Sequence, residues 1–276
     1  MDKYQNVTGQ VRHAVVIGLT LSALLLQGCA SVPATDRSGS DVRSTPVATS
    51  VVNEPLLKAA GNHAGLIELY KDRLQTASDV QTADTNRFYL GQTYLEADDP
   101  ESTLFYINPV MEADRATADL LLLQSRAFLA LGQQGDALEA AVEAMALDSK
   151  QETKDPHIAN QLGLIYADME YFSEAKRFFH KARKEMLDDA IVMNNLAMID
   201  ILEKNYRSAV ERLMPLYNTG QADDRVTANL VVALVRGDMY EEFKAVYTGA
   251  KTEQERIELY RAISAMEPRS LSASEE

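Results

Sequence analysis

The side chains that do catalytic work are few and scattered in this chain. Its four histidines are His13, His63, His157 and His180, and its single cysteine is Cys29. No His-x-x-His, His-Glu-x-x-His or paired-cysteine spacing occurs, so neither a metal site nor another bound cofactor is expected. Gly91, Gly132 and Gly163 read as packing or turn glycines, with no phosphate-cradling loop and no Gly-x-Ser-x-Gly elbow. The 41 acidic side chains are spread along the chain in the manner of solvated faces rather than gathered as an acid–base pair. The chemistry to expect is binding, not catalysis, so the chain is read as no enzyme.

What does recur is a period. Leu162-Gly163, Leu196-Ala197 and Leu230-Val231 stand 34 residues apart, and an aromatic keeps the same step at Phe172, Tyr206 and Tyr240. Ala175 and Ala209 repeat it once more. A repeat of this length with two helical halves marks a stacked solenoid, in which each unit buries its apolar face only against its neighbours. Few prolines and glycines, abundant Ala, Leu and Glu, and no alternating strand pattern make the expected class all-α, an α-solenoid of helical hairpins.

The solenoid is expected over residues 54–268. Glu54–Ala77 reads as a degenerate first pair broken at Gly61-Asn62. A second unit opens near Asp84 and turns at Asp98-Asp99-Pro100. The third runs from about Ala118 to Gln151 with its turn at Gly132 to Asp136, and Glu152–Asp155 is a four-residue insertion before the pattern restarts at Pro156. Pro109 and Pro215 fall late in second helices, where a kink or an early end is expected. Thr252–Met266 reads as an amphipathic capping helix, and 269–276 as a disordered tail.

Residues 1–28 stand apart. A basic start with Lys3 and Arg12 leads into a 13-residue apolar run, Ala14–Leu26, shorter than the roughly 20 residues a bilayer span needs and suited to a signal-peptide core. The run ends in Leu26-Gln27-Gly28-Cys29, which resembles a bacterial lipoprotein box. That resemblance implies cleavage before Cys29 and diacylglycerol on its sulfur; an ordinary secretory signal or an uncleaved anchor is the alternative. With Ala30 next, the resemblance implies sorting to the periplasmic face of the outer membrane. Several acyl chains, at about 0.8 kcal/mol per buried CH₂, would hold it there. Residues 29–53, rich in Ser, Thr, Pro and Ala, read as the lipidated Cys and a flexible tether spanning about 25–30 Å.

The formal net charge is −14. Residues 1–28 hold two cations and one anion, so their loss makes it −15. Such a chain is a poor ligand for nucleic acid or anionic headgroups; it either attracts basic partners or simply stays soluble.

Leu162, Gly163, Tyr166, Phe172, Ala175, Phe179 and Ala182 closely resemble the tetratricopeptide repeat (TPR) motif, although no unit has that motif's first-helix Trp. In the fifth unit, Asp200 stands where an aromatic is usual; in the sixth, Phe243 replaces the expected Ala. The resemblance implies a groove lined by first helices, with His157, Asn160 and Leu164, then Ile191, Asn194 and Met198, facing it. Asn195 and Asn229 match the TPR asparagine that bonds the backbone of a bound peptide; satisfying neighbouring helices is the alternative. Leu164, Met198 and Val232 would be either an adaptable apolar floor or core.

The C-terminal pattern is more particular. Asn194-Asn195-Leu196-Ala197, Tyr206-Arg207-Ser208-Ala209, Pro215-Leu216 and Arg225-Val226-Thr227-Ala228-Asn229-Leu230 with Arg236-Gly237-Asp238 resemble the TadD family of TPR lipoproteins from tight-adherence (Flp) pilus assembly. By that resemblance the partners are the secretin and other Tad assembly proteins, and the role is pilotin-like support of channel assembly or localisation. An NlpI-like peptidoglycan-hydrolase adaptor or a type IV pilotin is the competing expectation.

Overall fold

The structure is a computed structural model and describes residues 53–250 and 252–265. Cys29, the apolar run before it, the tether up to residue 52 and the tail expected over 269–276 lie outside the described residues. The described residues contain thirteen α-helices and no strand. They fall into two compact units that divide between Ala116 and Thr117.

The N-terminal unit holds α1 (Glu54–Ala59), α2 (His63–Gln75), α3 (Val80–Glu96) and α4 (Pro100–Met111). The second unit begins with the hairpin α5 (Ala118–Ala130) and α6 (Gln134–Asp148), followed by α7 (Pro156–Asp168) and α8 (Phe172–Lys184). It continues with α9 (Asp189–Leu202) and α10 (Tyr206–Asn218), then α11 (Asp224–Arg236) and α12 (Tyr240–Val246), and ends with α13 (Glu253–Ala265). Each unit is built of the antiparallel helical hairpins that the 34-residue period predicts.

The Leu–small pairs are the seams. Leu162, Leu196 and Leu230 are fully enclosed, as are their second-helix counterparts Ala175, Ala209 and Phe243. At Gly163 an added Cβ would stand 2.5 Å from the Phe179 ring. That distance is far inside contact, so α7 and α8 approach closely only because position 163 has no side chain. In the earlier units a hydroxyl uses the same seam: Thr103 Oγ1 donates to the Gly91 carbonyl at 2.9 Å and Ser125 Oγ to the Ala137 carbonyl at 2.8 Å.

Five hairpins turn through one backbone conformation that residue type signals only at Gly132. Asp98, Gly132, Glu170, Lys204 and Asp238 all have positive φ, between 57° and 74°. Each ends a first helix, and the next residue's N–H reaches back to a carbonyl five residues before it, as in Asn205 to Asp200 and Tyr171 to Tyr166. This is the left-handed helix terminus usually given to glycine; four of these five positions carry side chains. First helices start differently: Asp79, Thr117, Asp155, Asp188 and Asp223 each cap their helix with a side-chain oxygen.

Several boundaries differ from expectation. The second repeat's first helix starts at Val80, not near Asp84, because Asp79 accepts the Thr82 N–H at 2.8 Å. The third turn is shorter than Gly132–Asp136, since Gln134 already opens α6. α4 ends at Met111, two residues after Pro109, whereas α10 runs on past Pro215 to Asn218. The insertion before Pro156 is an organised cap: the Lys154 ammonium donates to the carbonyls of Asp148 (3.1 Å), Ser149 (2.8 Å) and Gln151 at the end of α6.

Asp200 has a structural answer. In two hairpins an aromatic of the first helix stacks on one of the second, twelve residues on: Tyr94 with Tyr106 and Tyr166 with Phe178, each at 5.3 Å between centroids. At the equivalent place in the fifth hairpin the pair is Asp200 with Arg212, whose Nε donates at 2.6 Å. Lys176 of the preceding hairpin stands 3.5 Å from the same carboxylate and 2.6 Å from Glu203. An ion pair has replaced a ring pair at both positions together.

Candidate functional site

In the second unit successive first helices touch one another: α5 meets α7, α7 meets α9, α9 meets α11, and α11 meets α13. Among the described residues no pair of second helices makes a comparable contact. The first-helix layer is therefore the inner side of this stack, and side chains facing away from the second helices line it.

A polar ladder crosses that layer. Gln161 Nε2 donates to Ser125 Oγ at 3.2 Å, Asn195 Nδ2 to Asn160 Oδ1 at 2.7 Å, and Asn229 Nδ2 to Asn194 Oδ1 at 2.9 Å. Gln161, Asn195 and Asn229 occupy one register position in consecutive repeats, and each reaches the preceding first helix. Asn195 is 8% exposed, so its amide needs this partner. Asn160 and Asn194 are half-buried, and with their oxygens accepting from the ladder both of their N–H₂ groups remain to be used.

The sequence-predicted residues divide accordingly. Asn195 and Asn229 spend a donor on the neighbouring repeat, so the amides that look outward are those of Asn160 and Asn194. Ile191 is exposed, and His157 is exposed in the first turn of α7. Leu164 and Val232 are half-buried. Met198 is 7% exposed and packs in the core with Leu196 and Ile199, against which Leu164 also lies. The adaptable floor is in large part core.

One lining residue was not singled out from the sequence. Arg126 of α5 holds the register of Leu164 once the four inserted residues are counted. It keeps an open surface, yet burial by the surrounding chain lowers its pKa while Asp155 opposes the shift. The signal was present in the numbering alone. Among the described residues no three His, Cys, Asp or Glu side chains converge as a metal site.

The geometry has a counterpart among solved structures. A chain of Pseudomonas aeruginosa pilF superposes with a TM-score of 0.52 at 18% identity, over 67% of this chain and 88% of that one. This chain is an α-solenoid of TPR-like hairpins. MamA superposes with a TM-score of 0.44 at 18% identity, over 73% of this chain and 100% of that one, too distant to argue from. No protein-family model matches the sequence, and neither does any curated protein. At such identities the likeness speaks for the fold alone, helices paired in repeated hairpins.

Proposed function

We propose that the chain is an outer-membrane lipoprotein scaffold, tethered through Cys29, whose first-helix face holds an extended segment of a pilus-assembly component. The observation that carries this reading is the ladder Gln161–Ser125, Asn195–Asn160, Asn229–Asn194. It fixes amide donors at repeat spacing on an inner face, which is what an extended backbone requires of a receptor. The lipoprotein box and tether supply depth and reach, and the fold shared with pilF is in keeping with a pilus role. Within that role the TadD-like pattern of residues 191–238 favours the Tad (Flp) system, with the secretin as first partner and pilotin-like support of its assembly or localisation as the function.

The test is co-purification from detergent-solubilised outer membranes with identification by mass spectrometry, run in parallel on Asn160→Asp/Asn194→Asp. Aspartate keeps the oxygen that Asn195 and Asn229 need but removes the outward donors, so the fold persists while the face is blunted. Recovery of a secretin with other Flp-assembly proteins, lost from the double variant, supports the reading. Recovery of murein hydrolases in their place would move the protein to the adaptor class.

A further inference from the structure

The charge of the second unit is sorted by face. From α5 to α12 every glutamate lies in a second helix or a loop, and none in a first helix. The first helices α5, α7, α9 and α11 hold five aspartates. Asp119, Asp189 and Asp224 stand in first turns, at the edge of the inner face. Asp168 and Asp200 are buried and engaged by second helices: Asp168 accepts from Gln134 Nε2 at 2.7 Å, and Asp200 from Arg212 Nε at 2.6 Å. Among the described residues, the middle of the inner face therefore offers no open carboxylate, in a chain whose net charge is −14.

Arg126 is the charge that stands there. It lies in the third turn of α5, keeps an exposed surface, and makes no ion pair or hydrogen bond among the described residues. Asp155 acts on it from a distance, but that carboxylate caps α7 by accepting the His157 N–H at 2.9 Å. We propose that the segment held on the first-helix face presents an aspartate or glutamate side chain to Arg126. This rests on the reading of that face as a receptor and adds the segment's charge. A carboxylate takes two guanidinium donors side by side. A neutral side chain leaves them to water, and a basic segment is repelled by Arg126 without an open carboxylate nearby to hold it.

Register decides the source of the carboxylate. Asn160 and Asn194 hold one row of the face, and the residue of α5 in that row is Leu122, which is buried. Arg126 is four residues further along α5, about 6 Å at the helical rise. A backbone following the amides therefore passes one turn short of the guanidinium. A side chain leaving that backbone covers the offset, whereas a terminal carboxylate lies in the backbone's own line.

The test immobilises the full chain in detergent and measures, by mass spectrometry, the retention of short peptide pools acetylated and amidated at their ends. The pools have random flanks and a fixed central Asp, Glu, Gln or Lys. Acidic pools are expected to be retained about fivefold over the Gln pool, with the Lys pool below it. Arg126→Gln should bring all pools within about twofold while leaving Gln-pool retention unchanged, and Arg126→Lys should keep part of the preference. Both variants should melt with the parent, because Arg126 bonds to no other residue. Equal retention of the acidic and Gln pools overturns the charge assignment and leaves the receptor reading standing. So does an acidic preference that survives Arg126→Gln, or one that appears only when the C-terminus is left free. Failure to retain any pool overturns both.

Discussion

The exchange of a ring pair for an ion pair in the fifth hairpin predicts a specific pattern of stabilities. Asp200 has 5% of its side chain exposed and Arg212 34%, with 2.6 Å between them. Removing one partner of a buried pair typically costs about 3–5 kcal/mol. Here the arginine is partly solvated and Lys176 remains 3.5 Å from the carboxylate, so Arg212→Ala should cost about 2–3 kcal/mol. For a chain of this size that is a fall in melting temperature of about 5–10 °C. Asp200→Tyr/Arg212→Phe reinstates the Tyr166–Phe178 arrangement and should lie within about 1 kcal/mol of the parent, because ion pairs replaced by packed apolar groups are often neutral. Lys176 is not stranded by this swap, since it keeps Glu203 at 2.6 Å. The assay is urea unfolding followed by far-UV circular dichroism on the parent, both single variants and the double, analysed as a double-mutant cycle. A coupling of at least about 2 kcal/mol is expected. Single variants within about 0.5 kcal/mol of the parent, or a double no better than their sum, would refute the reasoning.

Three further outcomes are expected. Gly163→Ala gains about 1 kcal/mol of helix propensity but drives a methyl into the Phe179 ring at 2.5 Å, for a net loss of about 1–2 kcal/mol in the same unfolding assay. Lys204→Gly, at φ +63°, should raise stability by about 0.5–1 kcal/mol, because release from the left-handed region outweighs the added chain entropy; the melting temperature checks it. Glu54 is held down to about pKa 2, from 4.5, by hydrogen bonds from Lys58, then Tyr70 and Arg73. The folded pKa lies below the unfolded one, so this contribution is complete above pH 4.5 and fades as pH falls toward about 2. With Lys58 and Arg73 largely solvated it amounts to about 1 kcal/mol, and Glu54→Gln should show that deficit at pH 7 and none at the acid limit.

The sequence disclosed the period because packing seams demand particular residue sizes: Leu162, Gly163 and Ala175 announce themselves by volume. Turn conformation was hidden, because Glu170, Lys204 and Asp238 adopt a backbone normally signalled by glycine, held there by the reach-back bond rather than by residue type. The site was half legible. Asn195 and Asn229 showed at their spacing, but spacing cannot say whether an amide faces a ligand or a neighbouring helix; the bonds to Asn160 and Asn194 make it the helix.

If the first-helix face holds a partner segment as proposed, the ladder also bears on the entropy lost in docking. A free asparagine on an open surface samples several rotamers, and a partner that grips it must halt that motion, at about 0.5–1.5 kcal/mol per side chain. Asn160 and Asn194 have already surrendered that freedom to Asn195 and Asn229. The entropy is lost when the chain folds, once, and not again at each encounter. A segment docking at this face, as proposed, would therefore meet donors that are already aimed and forfeit only its own disorder.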